Sequence, residues 1–361
     1  MQGFISRMEN WGIRQSLAYH KNFQNINFMS NSILNLAQVG CGYWGPNLLR
    51  NFYGLIDCKV SHVVEPAKER KEFIHSNFPD VCTDCCFEEI LANDGIKAVI
   101  IATPAKFHFD QAKLALLAGK HVFVEKPMAQ KVDEVKELQL ISEKLNLICM
   151  VGHTFLFNPA VRYVKSMIEK KELGKLYYIY SQRLNLGRIR SDVNALWNFA
   201  PHDVSIIQYW LNENAPLSVA HTGSSFIQNG VEDISFLNLK YPNGVMANIH
   251  VSWLDPNKTR KITIVGSKKM VVYDDLAVNK ITVFDKGIDI VARLGENMDF
   301  DDLSVLTFNH RSGNIFSPEI KWKEPLKAEA EHFIECIKGK VSCITGTEHA
   351  LKVVNILEKA K

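Results

Sequence analysis

The feature that most restricts this chain is a glycine turn set between an apolar run and an amphipathic segment. Residues 33–39 (Ile-Leu-Asn-Leu-Ala-Gln-Val) are short, mostly apolar and closed by Gly40, which suits a parallel strand buried on both faces. Gly40-Cys41-Gly42-Tyr43-Trp44-Gly45 follows, then Pro46. The spacing G-x-G-x-x-G supplies a tight turn at Gly40, close backbone approach at Gly42 and strand-to-helix packing at Gly45. Pro46 favours a helix start at this point. The first N–H groups of that helix lack internal partners and its dipole is positive at this end, so a diphosphate is the natural ligand, with Tyr43 and Trp44 beside it.

A second strand, residues 59–64, ends at Glu65, twenty residues beyond Gly45. A carboxylate at that point accepts hydrogen bonds from an adenosine ribose diol and repels a 2′-phosphate, which predicts NAD rather than NADP. Lys68 and Arg70 are close enough to serve a phosphate if they turn inward. Two more apolar strands, 97–102 and 121–124, run into Thr103-Pro104 and Glu125-Lys126-Pro127, with a helix between them that stops at Gly119. This alternation predicts a doubly wound parallel sheet. Ligands of such sheets lie beyond the carboxyl ends of the strands, so Thr103, Pro104, Glu125 and Lys126 border one crevice.

The glycine turn, the run Thr103-Pro104-x-x-x-His108 and Glu125-Lys126-Pro127 together resemble the glucose-fructose oxidoreductase, inositol dehydrogenase and rhizopine-catabolism family, written Gfo/Idh/MocA. The resemblance runs from about residue 34 to the end, through Pro325-Leu326-Lys327-Ala328-Glu329-x-x-His332-Phe333 and a last helix after Gly346. It implies an NAD-binding Rossmann domain over 34–152, with His108 and Lys126 among its cofactor residues. It also implies a substrate-binding and oligomerisation α/β domain over 153–361.

The residue pattern itself changes near 152. A helix over 159–168 is followed by β-branched and aromatic runs at 176–180, 217–220, 234–239, 245–251, 262–265 and 271–273, with a hairpin turn at Tyr241-Pro242-Asn243-Gly244. These predict an open, mostly antiparallel sheet of about six strands with helices on one face. Val245, Ala247, Ile249, Val251 and Trp253 share one side of the alternation. That is more apolar surface than a few helices cover, which predicts a homodimer or homotetramer.

Residues 196–211 read as a helix entered near Pro201, with Asn198 and His202 near its start. From the residues alone, His202 is a satisfied helix-end histidine. The resemblance implies instead that His202 meets Lys126 across the cleft and that the two are catalytic. Family members usually carry aspartate four residues before this histidine and three after it, where this chain has Asn198 and Ser205; Asp203 is adjacent but out of position. The polar segment 185–194 holds Arg188, Arg190 and Asn194, and paired arginines grip carboxylates or phosphates. It resembles the nucleotide-sugar branch of the family, of the UDP-N-acetylglucosaminuronate 3-dehydrogenase kind; surface ion pairs are the plainer reading. Asn158 and Arg162 are further candidates for the substrate pocket.

Moving hydride from a secondary alcohol to nicotinamide requires removal of the hydroxyl proton. A neutral imidazole accepts it near neutral pH, and an ammonium beside the reacting oxygen stabilises developing alkoxide charge. His202 and Lys126 take these parts. Two other readings stay open: a lyase or glycosidase that uses NAD transiently, and a catalytically silent NAD sensor suggested by Asn198 and Ser205.

Composition sets the outer limits. A net charge of +3 is too small for sequence-independent nucleic-acid binding. No stretch approaches the ~20 apolar residues of a membrane span, so neither membrane nor nucleic-acid partners are expected and the location reads as cytoplasmic. The eight cysteines lie scattered along a long chain and read as reduced, buried thiols. Cys82, Cys85 and Cys86 look like half of a zinc site, but no second ligand pair follows at the usual spacing, so no metal is expected. Residues 1–33 read as an extension outside the fold, either disordered or translated from a start codon assigned upstream of Met29.

Overall fold

The computed structural model describes residues 33–187, 189–191, 193–212, 215–292 and 306–360. The N-terminal extension lies outside the described residues apart from Ile33, and so does Arg188. The apolar run before the glycine turn forms β1 (Leu34–Val39), and α1 (Gly45–Tyr53) leaves the turn with Pro46 in its first positions. Strands β2 (Cys58–Val64), β3 (Ala98–Ile101), β4 (His121–Glu125) and β5 (Cys149–Gly152) complete a five-stranded parallel sheet in the order β2-β1-β3-β4-β5. The strand order reverses at β1, so the glycine turn opens at the switch point where α/β sheets hold ligands.

Strands β1, β3, β4 and β5 are buried on both faces as their apolar sequences demand, whereas the edge strand β2 is partly exposed. Leu36, Ile100, Phe123 and Met150 face one core, and Ala37, Val99, Val122 and Val151 face the other. The helices packed around them include α2 (Lys68–Asn77), α3 (Phe87–Ala92), α4 (His108–Leu117) and α5 (Val132–Leu145). Gln38 is the polar exception inside β1. Fully buried, it donates to the carbonyls of Gly40 at 2.8 Å and Gly45 at 3.0 Å, which pins both ends of the glycine turn.

The second sheet has eight strands where about six were expected. Its order is β13-β12-β11-β10-β6-β9-β8-β7. The members are β6 (Leu176–Leu184), β7 (Ser218–Ser224), β8 (Ile234–Lys240), β9 (Met246–Ser252), β10 (Thr259–Gly266), β11 (Met270–Asp274), β12 (Ile281–Ala292) and β13 (Leu306–Phe316). β6 and β9 pair in parallel and every other pairing is antiparallel. The additional pair, β12 and β13, carries Asp285-Lys286-Gly287 and a register shift between Phe284 and Lys286, which interrupts the apolar alternation that marks the other strands.

One face of this sheet is covered by α6 (Pro159–Glu169) and α7 (Ala195–Trp210). Val245, Ala247, Ile249, Val251 and Trp253, expected to need a second subunit, are buried here within the chain. The opposite face carries exposed Tyr178, Tyr180, Phe236 and Met246. The helix α7 also differs from its expected form. It starts six residues before Pro201, because Asn194 caps it by accepting the Trp197 N–H at 3.0 Å, and it continues through the proline. A proline past the first turn costs a helix one hydrogen bond and kinks it without necessarily ending it.

The last two helices, α8 (Pro325–Ile337) and α9 (Thr347–Lys359), return to the parallel sheet. Phe333 of α8 meets Phe52 and Phe123 edge to face. Ala350 and Val354 of α9 join the core beneath Val151. No described helix is long and apolar enough to cross a membrane.

Candidate active site

A cleft of about 820 Å³ lies between the two sheets and takes residues from both. Its cofactor wall is the glycine turn. Gly40 sits at φ +89°, and a Cβ there would lie 2.7 Å from the Ala102 carbonyl oxygen. A Cβ on Gly45 would lie 2.8 Å from the Gly40 carbonyl oxygen, whereas the space around Gly42 is open. Packing therefore requires glycine at 40 and 45, and the backbone at 42 faces room for a phosphate group. No side chain caps α1, leaving its first N–H groups to an anion. Glu65 accepts the N–H groups of Cys41 at 2.7 Å and Ala67 at 2.9 Å, which locks its carboxylate against the turn at the end of β2. These features fit the adenosine diphosphate half of a dinucleotide.

Gly42, Tyr43, Trp44, Thr103, Pro104, His108, Glu125 and Lys126 all line the cleft. Gly40, Gly45 and Glu65 support the turn from behind, and Arg70 is exposed on α2 outside the lining. His108 is buried with its ring nitrogens 2.7 Å from the Pro127 carbonyl and 2.8 Å from that of Thr103. It ties the ends of β3 and β4 together. The residue expected to touch cofactor thus lines the cleft and also braces the ends of two strands. The Lys126–Pro127 peptide is cis.

On the facing wall, Lys126 Nζ donates to the backbone carbonyl of Asn198 at 3.0 Å. His202 follows Asn198 by four residues on the same face of α7, with its ring edge against Phe155 at 5.0 Å. Sequence reasoning placed Lys126 and His202 together, and both line the cleft. The position where an aspartate was missed acts through its main chain, so Asn198 holds Lys126 without a carboxylate. Ser205 points elsewhere: its hydroxyl pairs with His349 Nε2 at 2.9 Å in the buried interior. Asp203 is committed as well. It accepts two hydrogen bonds from Arg183, at 2.7 Å and 3.2 Å, and one from Ser181 at 2.8 Å.

Burial sets the protonation of the pair. His202 is pushed well below the usual histidine range by desolvation and then by the positive charges of Lys126 and Arg183, so its ring is neutral at neutral pH. Its Nδ1 is buried without a partner. Burial lowers Lys126 to about 8, against the opposing pull of Glu125. Burial raises the Glu125 carboxyl to about 7, against the pull of Lys126.

The remaining substrate candidates divide. Asn158 and Arg190 line the cleft. Asn158 is spent on structure, accepting the Ala160 N–H at the head of α6 and donating to the Tyr273 hydroxyl. Arg162 turns away, with its Nε on the Leu156 carbonyl and its guanidinium over Phe157. Asn194 caps α7 and bonds Glu232, also away from the cleft. Sequence reasoning missed five basic residues that line the same space: Arg50, Arg183, Lys258, Arg260 and Lys280. Arg260 pairs with Asp275 at 3.4 Å, and Lys280 lies over Trp322 while donating to the Asp275 carbonyl. Only Arg183 left a signal, as a charge in register with inward-facing Ile179 and Ser181 on β6.

A parallel sheet with a glycine turn at its switch point, opening on a cleft with a lysine and a neutral histidine, defines a nicotinamide-dependent oxidoreductase. Residues 34–153 match the oxidoreductase family with an NAD-binding Rossmann fold, and residues 161–272 match the Gfo/Idh/MocA C-terminal domain. The chain belongs to the Gfo/Idh/MocA family and is an NAD-binding oxidoreductase. It is 26% identical over 279 residues to 4-carboxy-2-hydroxymuconate-6-semialdehyde dehydrogenase of a Sphingobium strain, covering 72% of this chain and 88% of that one. It is 24% identical to scyllo-inositol 2-dehydrogenase (NAD(+)) of Bacillus subtilis, covering 89% and 90%. UDP-N-acetylglucosamine 3-dehydrogenase from Acidithiobacillus ferrooxidans shares the fold with a TM-score of 0.75 at 19% identity, covering 91% of this chain and 97% of that one.

Proposed function

We propose that this protein is an NAD-dependent dehydrogenase acting on a secondary hydroxyl of a sugar that carries an anionic group, in particular a nucleotide-linked sugar. Residues 34–152 hold the cofactor and 153–361 the substrate. The observation that carries the reading is that Lys126 and neutral His202 line one cleft, bounded by the glycine turn on one side and by Arg183, Arg190, Lys258, Arg260 and Lys280 on the other. NAD, when bound, supplies the hydride acceptor. The substrate hydroxyl proton goes to His202 Nε2, the nitrogen not shut into the interior, and the Lys126 ammonium hydrogen-bonds the same oxygen as charge develops on it. The basic wall then orients the substrate through its phosphates or carboxylate. Exposed Tyr178, Tyr180, Phe236 and Met246 on the outer sheet face support pairing into a homodimer or homotetramer, which light scattering measures.

The test is a screen of UDP-sugars, sugar acids and free polyols with NAD, read by the absorbance of reduced nicotinamide. The proposal expects turnover with a sugar nucleotide. Turnover confined to uncharged polyols removes the anionic substrate. Conversion of a sugar without net nicotinamide reduction favours the transient-NAD chemistry instead, and NAD binding without any conversion favours a sensor.

A further inference from the structure

Outside the cleft, three side chains that the proposed reaction does not use converge near the end of α8. His332 and Cys336 lie one helical turn apart, with His332 Nε2 3.4 Å from Cys336 Sγ. The chain then turns at Gly339, which has φ +68°, and comes back to place Cys343 beside them. The ligand atoms of all three residues lie within 4.8 Å of one another, and no other such group of His, Cys, Asp or Glu occurs among the described residues. The cysteines singled out from spacing alone are a different set: Cys82 and Cys86 are exposed.

We propose that His332, Cys336 and Cys343 form a binding site for a soft divalent cation, with zinc as the ion best matched to the two sulfurs and one nitrogen. His332 Nε2 accepts the Ile344 N–H at 3.2 Å, so its single lone pair already faces a donor, and an ion bound there takes the place of that hydrogen bond. A thiolate is the form that binds metal, so loading the site releases the protons of both thiols. Zinc takes sulfur at about 2.3 Å and imidazole nitrogen at about 2.0 Å, which places tetrahedral ligand atoms roughly 3.5 to 3.8 Å apart. The three donors therefore need to close by about 1 Å.

His332 also borders a separate surface pocket of about 370 Å³, lined as well by Arg162, Lys323, Glu331 and Glu335, that shares no residue with the cleft. The placement suggests what the ion does. Two residues after Cys343, the Thr345 carbonyl accepts the Val151 N–H at 2.8 Å, so the segment carrying Cys343 is bound to β5. A cation there ties α8 to that segment.

The test uses the full chain, purified without chelator and without a histidine tag. Metal analysis after equilibration with zinc should find about one zinc per chain. Replacement by cobalt(II) should give the thiolate-to-metal charge-transfer band and the visible bands of a tetrahedral site. Cys336→Ser, Cys343→Ser and His332→Gln should each weaken zinc binding by more than the about 100-fold typical of an outer-shell loss. Cys85→Ser should leave binding unchanged, and circular dichroism checks that each variant is folded. Substoichiometric zinc with no cobalt–thiolate band overturns the proposal in the wild-type protein, with no variant required. A Cys336–Cys343 disulfide that persists when reductant and zinc are both supplied overturns it too.

Discussion

The two walls of the cleft recognise their ligands with different parts of the chain. The cofactor wall is backbone: Gly40, Gly42 and Gly45 shape it, Gln38 and Glu65 brace it through main-chain groups, and His108 ties two carbonyls behind it. The substrate wall is side chain: Arg183, Lys258, Arg260 and Lys280 reach in from the second sheet and its connections. A backbone wall cannot change one residue without moving the turn, whereas a side-chain wall can change its charge with its strands in place. On the proposed function, the cofactor is therefore the constrained half of the reaction and the substrate the adjustable half.

The largest test of this contrast sits where the walls meet. Lys126→Met and His202→Asn should each lower turnover by about 10² to 10⁴ while NAD affinity stays within a few fold, as expected for loss of an electrostatic or proton-transfer partner. Stopped-flow turnover beside an NAD titration separates the two quantities; a parallel loss of NAD affinity would place these residues on the cofactor wall alone. Gly40→Ala probes the backbone wall. With φ +89° and a carbonyl oxygen 2.7 Å from the added carbon, it should weaken NAD binding by at least about 10-fold. Unchanged binding would show that the turn yields more easily than its contacts allow.

On the side-chain wall, Lys258→Ala and Lys280→Ala should raise KM for an anionic substrate by about 5- to 10-fold each with kcat nearly constant, since such contacts serve ground state and transition state alike. A selective fall in kcat would move them into the chemistry. Glu65→Ala should narrow the preference for NAD over NADP by several fold, read from the two dissociation constants. A wild type that prefers NADP would remove the inward role of Glu65.

The smallest effect is in pH. Lys126, lowered to about 8, is charged below that pH and loses its proton above it. The oxidation rate constant should therefore decline as pH rises past about 8. His202, held well below the usual range, stays neutral across the same span and contributes no limb near pH 6.5. A rising limb there that survives Glu125→Gln, which removes the carboxyl raised to about 7, would give His202 an ordinary titration and weaken the argument from burial.

The same contrast decides what could be read from the sequence. Backbone recognition is written in spacing, so the glycine turn, Glu65 and the Lys126 strand end could be located before any coordinates. Side-chain recognition is written in tertiary contacts. Lys258 and Lys280 stand in loops with no periodic signal, and Arg162, a further candidate beside Asn158, turns to Phe157 because its helix face points there. Pro201 misled for a physical reason: the helix start was set by the Asn194 cap, whose hydrogen bond to Trp197 outweighs a proline nearly two turns further in. Strands β12 and β13 escaped because Gly287 and Gly313 break the period that identifies a strand.

The return of α9 to the parallel sheet has a consequence for the order in which the molecule is made. Every strand of that sheet has been synthesised by Gly152, yet Ala350 and Val354, which fill one of its cores against Val151, come only after every strand of the second sheet. During synthesis the cofactor half thus has all its strands first but is sealed only after the second sheet is made. A nascent chain released short of Thr347 would expose the apolar underside of β5 and α5, a surface of the kind that chaperones hold.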